Sequence, residues 1–158
     1  MSESEQSAGT FLVTSADGES AVLKDVDTGQ VHALSSNPGL ERFEAVEGVV
    51  SPDPPMNVTW SLVEVDERWQ LTLERSDESP TRHVRDVAGD QQEGELTRIE
   101  RAGTGEIHVV TVPEETTAQA VEDVLADEEA TLQRAARLGV ARVEVRAAPG
   151  VVSVRYVP

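Results

Sequence analysis

A chain of 158 residues is long enough for one ordinary domain or two small ones, and can bury a core without cross-links. Thirty acids against thirteen lysines and arginines leave a net charge of −17, which sets the coat of the molecule but names no partner. With no cysteine, disulfides, thiolate catalysis and cysteine-based zinc sites are excluded.

Met1 to Ala8 is polar and acidic, lacks the basic start and apolar stretch of a signal peptide, and reads as a disordered tail. From Gly9 the pattern turns β-like. Phe11-Leu12-Val13 runs into a turn at Ala16-Asp17-Gly18, Ser20 to Val26 follows, and Asp27-Thr28-Gly29 turns the chain into Gln30 to Leu34. Asp-Gly and Asp-Thr-Gly between short β-branched runs are hairpin signals, because glycine takes positive φ at no steric cost. The three runs predict a meander. Ser36-Asn37-Pro38-Gly39 is a further turn, Glu44 to Ser51 a fourth strand, and Pro52, Pro54 and Pro55 a loop that can give no ladder donors. Asn57 to Val65 puts Val58, Trp60 and Leu62 on one face, and a last alternation groups Trp69, Leu71 and Leu73. Five or six short strands over residues 9–78 predict a small antiparallel β-barrel-like module of the OB or SH3-like size class.

Asp77-Glu78-Ser79-Pro80 breaks the composition and marks the start of an α+β module over residues 79–158. Ser79 with Pro80 signals a short helix carrying Val84, Val87 and Ala88. Glu95 to Arg101 and Glu106 to Val112 flank Ala102-Gly103-Thr104-Gly105 as a hairpin. After Pro113, with Thr116 or Thr117 as cap, Val121, Val124, Leu125, Leu132, Ala135 and Ala136 recur at helical spacing as far as Gly139. The stripe is interrupted at Glu128-Glu129, so one bent helix or two short ones are both compatible with it. Ala141, Val143 and Val145 then alternate with Arg142, Glu144 and Arg146, and across a turn Val152, Val154 and Tyr156 alternate with Ser153 and Arg155. The predicted order is α-ββ-α-ββ, with a four-stranded sheet covered by helices on one side.

The three histidines, His32, His83 and His108, have no mutual metal-ligand spacing and read as structural or surface residues. No Gly-x-Ser-x-Gly elbow, dinucleotide fingerprint or phosphate-cradling Gly-Lys-Ser is present. Acid pairs are too common in this composition to mark a general acid. The chain reads as non-enzymatic, with no cofactor and no membrane span. A carboxylate-bound divalent cation needs no spacing signature, so a metal enzyme stays the remote alternative.

The first 79 residues hold 16 acids and 4 bases, whereas residues 80–158 hold 14 acids and 9 bases. Arg142, Arg146 and Arg155 are predicted to share the polar face of the last hairpin, with Arg98 beside them. Arginine forks suit phosphate, so the face is a candidate RNA or anion site; with no aromatic interleaved, it reads first as a face where arginines pair with Glu100, Glu106 and Glu144. Trp60 and Trp69 are core of the first module or a stacking platform for bases.

Asn37-Pro38-Gly39-Leu40, the Pro54 to Trp60 run, Asp77 to Thr81, Gly105 to Pro113 and Leu138 to Arg146 resemble an uncharacterised haloarchaeal family, a domain of unknown function, over nearly the whole chain after Gly9. That resemblance implies a halophilic archaeal cytoplasm, which agrees with a charge bearable in molar salt and with Lys24 as the one lysine. It implies no activity. The expectation is a non-catalytic binding or adaptor protein with RNA or a ribonucleoprotein as partner; the alternative is a protein-binding module or a homodimer formed through an edge strand.

Overall fold

Phe11, Leu12 and Val13 are fully buried in the strand that opens the chain's first sheet. The computed structural model describes residues 5–158, in which ten strands and three helices fall into two units, one ending at Leu71 and the other spanning Thr72–Pro158. Residues 1–4, half of the predicted tail, lie outside the described residues; β1 (Ser7–Ala16) already begins at the tail's last two positions.

In the first unit β1, β2 (Ala21–Asp25) and β3 (Val31–Leu34) form the predicted meander. Aspartates build both turns. Asp17 Oδ1 accepts the Glu19 and Ser20 N–H groups at 2.8 Å each, and Asp25 Oδ1 accepts those of Asp27 at 2.8 Å and Thr28 at 3.0 Å. Asn37 ties the next connection down: its amide donates to the Asp17 and Leu40 carbonyls, while its oxygen accepts from Gly39 and Leu40. β4 (Glu44–Pro52) runs antiparallel to both β1 and β5 (Trp60–Gln70), and a parallel bridge between Leu34 and Trp60 closes the barrel in the order β1-β2-β3-β5-β4. The closure is thus not wholly antiparallel. Phe11, Val13, Leu23, Leu34, Val46 and Val50 fill the interior, with Trp60 and Leu62 packed against them.

The Trp69 to Leu73 alternation does not continue as one barrel strand. Thr72–Arg75 forms β6, which pairs in parallel with β9 (Arg142–Ala148) in the second unit. The second sheet therefore has five strands, β6-β9-β10-β8-β7, where four were expected. Its other strands are β7 (Leu96–Glu100), β8 (Glu106–Thr111) and β10 (Val151–Val157), all antiparallel to their neighbours. A four-residue strand is too short to declare its sheet by periodicity, since its pairing is set by a partner some seventy residues away.

Helices lie on both faces of this sheet, not on one. In α1 (Arg82–Gly89), Val84 and Ala88 pack with Val109, Ile99, Ile107 and Val151. Thr81, not Ser79, caps α1, its hydroxyl accepting the Val84 N–H at 3.3 Å. On the opposite face Val121 of α2 (Thr117–Ala126) meets Val145 and Val152. The interruption at Glu128-Glu129 separates two helices: Asp127 leaves helical geometry with ψ at 46° before α3 (Glu128–Leu138). Neither Thr116 nor Asp127 donates or accepts a side-chain capping bond; Thr116 and Thr117 instead hydrogen-bond back to the Pro113 and Glu114 carbonyls. Gly139 ends α3 in the left-handed conformation with φ at 75°.

Candidate functional site

Cross-strand register sorts the arginines. Val145 stands opposite Val154, and Arg155 opposite Glu144, so Arg142, Glu144, Arg146 and Arg155 share one sheet face. Arg98 does not join them. It stands opposite His108, which in turn stands opposite Val154, and this places Arg98 on the other face. The four-arginine face expected from the sequence is therefore three arginines, and those are already engaged. Glu144 accepts from Arg146 at 3.2 Å and lies 3.5 Å from Arg155, while Glu78 takes a second Arg146 contact at 3.1 Å. The Arg146 and Arg155 side chains are only 13% and 16% exposed, and neither Nε makes a hydrogen bond to the described residues, Arg155 Nε having only the longer ion pair to Glu144. Burial, then the charges of Arg146 and Arg101, lowers the Arg155 pKa, against the pull of Glu144. Arg142 is exposed and bonds the Pro158 carbonyl. Of the glutamates expected to pair with these arginines only Glu144 does so: Glu100 and Glu106 stand on the other face, and Glu78 takes a place the sequence did not suggest.

The tryptophans do not form a platform either. Trp60 turns into the barrel core and meets the His32 ring. Trp69 pairs with Ala45, on the opposite side of β4 from the core residue Val46. They point to opposite sides of the barrel wall.

Sequence reasoning passed over a polar cluster on the α2–α3 face. Glu106, His108 and Val110 alternate along β8 onto that face, with Tyr156 opposite Glu106. Glu106 Oε1 accepts from His108 Nε2 at 2.6 Å and from Arg134 Nε at 2.8 Å. Burial opposes ionisation of Glu106, but these two donors outweigh it and hold its carboxyl below the usual range. His108 is buried and packs 5.0 Å from the Tyr156 ring; burial lowers its pKa despite the Glu106 hydrogen bond, which favours the neutral imidazole. A recess of about 280 Å³ opens beside them. The available signal was the period-two pattern of Glu106-x-His108, which cannot be read as a cluster until Arg134 is placed over it.

A second feature is the β4–β5 loop, residues 53–59. The Asp53 carboxylate accepts from the Thr59 hydroxyl at 2.8 Å and the Ser61 hydroxyl at 2.6 Å, and these bonds, with Ser35, lower its pKa. Backbone bonds from Asp53 N–H to the Thr59 carbonyl and from Asn57 N–H to the Asp53 carbonyl, both 2.9 Å, close the loop on itself. Asn57 adopts φ of 56°. On this tied loop Met56 and Val58 are 74% and 72% exposed, and Val31 on the neighbouring strand β3 is also exposed.

Among the described residues no three His, Asp or Glu side chains are placed to hold a metal ion, and no helix is long and apolar enough to cross a membrane. The chain belongs to a family of unknown function, DUF5812, whose model matches residues 7–147. No curated protein and no solved structure matches it.

Proposed function

We propose that this member of a family without an assigned role is a non-catalytic adaptor, docking a protein partner on the end of its barrel that carries the β4–β5 loop. The observation that carries the reading is the pairing of exposed Met56 and Val58 with a loop base tied down by Asp53. A free loop would lose conformational entropy on binding, whereas a preorganised one loses little. Two large apolar side chains held in water on a chain of charge −17 are costly unless a partner covers them. The carboxylates that surround them in sequence, Asp53 and Glu64, favour a partner with a basic rim around an apolar anchor.

The setting belongs to the same proposal: a halophilic cytoplasm, where the acidic coat is screened and apolar contact supplies the affinity. A second reading has one specific support. The order β1-β2-β3-β5-β4 with a parallel β3–β5 closure is the strand order of OB barrels, which bind oligonucleotides on the β2–β3 face and adjoining loops. That analogy is of fold alone. Of the arginines suited to phosphate, Arg146 and Arg155 are bound to Glu144 and Glu78, which favours the protein partner.

The test is affinity capture from a high-salt native lysate with the wild-type chain and with a Met56→Ser/Val58→Ser variant, each with and without nuclease. A protein held in near-stoichiometric amount, resistant to nuclease and lost with the variant, supports the reading. Nuclease-sensitive capture that survives the loop change supports RNA instead.

A further inference from the structure

The recess on the α2–α3 face of the second sheet has the make-up of a small-molecule site. Its walls are apolar: Leu96 from β7, Val110 from β8, Val154 from β10 and Val124 from α2. The aromatic residues lining it are His108 and Tyr156, 8% and 4% exposed. At about 280 Å³ it is at the small end of ligand cavities.

Two further facts give it a chemistry. Asp123 and Asp127 also line it, one helical turn apart at the end of α2. Tyr156, more than nine-tenths buried, makes no hydrogen bond through its hydroxyl to any described residue. The ring is buried, but the hydroxyl is not among the fully enclosed unpartnered atoms, so what accessible area it keeps is beside the recess that Tyr156 lines, where a ligand could supply the missing hydrogen bond. Most of the surrounding charge is already satisfied. Arg134 is held by Glu106, which also takes the His108 N–H, so that trio presents no free carboxylate. Exposed Arg98 remains as the opposing cation, set against two carboxylates.

We propose that this recess binds a primary ammonium group on a short apolar stem. The ammonium donates to the Asp127 carboxylate and the Tyr156 hydroxyl oxygen, Asp123 adds charge, and the stem lies along Val110, Val124 and Val154. Aromatic rings at the base are compatible with the cation, which is attracted to a π face. A carboxylate or phosphate head is disfavoured by the same two acids. The ammonium has two sources, a free alkylamine or the side chain of a lysine on another chain.

The experiment titrates the full chain, at fixed ionic strength, with butylamine, 1-butanol, butyrate and Nα-acetyl-lysine methylamide, following the His108 and Tyr156 NMR signals. Saturable shifts with butylamine or the lysine derivative, and none with butanol or butyrate, support the site. The tighter of the two amines identifies the source. Asp127→Asn should weaken amine binding at least ten-fold, and Tyr156→Phe, which keeps the ring and its packing, about three- to ten-fold, the worth of a hydrogen bond. Butanol binding as well as butylamine, shifts that do not saturate, or variants that bind like wild type would each overturn the proposal.

Discussion

His32 and Trp60 meet edge to face inside the barrel, ring centroids 4.4 Å apart and planes at 85°, with Phe11 at 5.6 Å completing the cage around the imidazole. His32 is fully buried, and neither ring nitrogen finds a hydrogen-bond partner among the described residues. Burial therefore pushes its pKa down, and Asp25 only partly opposes this. The folded state then binds the proton less readily than the unfolded chain. Stability is full above the ordinary histidine pKa of about 6.5 and is lost as pH falls below it. His32→Phe removes the unpaired nitrogens and keeps an aromatic ring. The expected outcome is an unchanged or higher Tm at pH 7 and a shallower loss between pH 7 and 5. His108, whose pKa is also lowered, leaves part of the slope in place. A variant with the wild-type pH slope would show that His32 is hydrated or partnered in solution.

Glu144 is the single carboxylate between Arg146 and Arg155, and all three side chains are less than a fifth exposed. Removing it takes the ion-pair partner from Arg155 and leaves Arg146 with the exposed Glu78 alone. Glu144→Ala is expected to cost about 2 kcal/mol, because the loss is of charge compensation and not of a solvated pair. Arg142→Ala, on the same strand but exposed, should fall within about 0.5 kcal/mol of wild type. Urea unfolding curves at constant salt separate the two. Equal effects would mean that the buried cluster is solvated after all.

Gly48 lies where the β4–β5 register shifts, and a Cβ there would fall on the Glu64 carbonyl oxygen. Backbone cannot move aside as a flexible side chain can. Gly48→Ala should therefore destabilise the barrel by about 2 kcal/mol or more, the scale of an overpacked core. Gly89, at the end of α1, has nothing within 4 Å of its Cβ position, and Gly89→Ala should be neutral or slightly stabilising. Thermal melts of both variants give the comparison, and a neutral Gly48→Ala would place the strand crossing elsewhere.

The parts of this molecule that were legible from sequence are those whose cause is local. Asp17-Gly18 and Asp27-Thr28-Gly29 announce their turns because side chain and turn act within four residues. The Val143–Val145 and Val152–Tyr156 alternations announce a hairpin for the same reason, but not that its polar face is covered too: Ser153 is fully buried and Glu144, Arg146 and Arg155 are largely enclosed. What stayed hidden depends on distant partners. β6 takes its sheet from β9, and the parallel bridge at Leu34 and Trp60 is one residue pair long. Covering on both sheet faces was recoverable in principle, since Ile107 and Val109 are apolar on one side of β8 while Val110 is apolar on the other. Arg98 was misplaced because hairpin register, not composition, decides its face. Glu106 and His108 were passed over because the third member of their cluster, Arg134, comes from a helix in another part of the chain.

Charge is unevenly divided between the two units, and this predicts the order in which they respond to salt. Residues 1–71 hold 13 acids and 3 bases, net −10, whereas residues 72–158 hold 17 acids and 10 bases, net −7 over a longer stretch. In molar salt repulsion is screened within about 3 Å; in millimolar salt it reaches across a small domain. The first unit should therefore loosen first on dilution. The chain carries its own reporters, because Trp60 and Trp69 both lie in the barrel while all three helices lie in the second unit. Tryptophan fluorescence should shift to the red at a higher potassium chloride concentration than the one at which helical circular dichroism is lost. Coincident transitions would mean that the units melt as one. No transition down to millimolar salt would remove the halophilic setting from the proposal while leaving the loop and recess to be tested on their own terms.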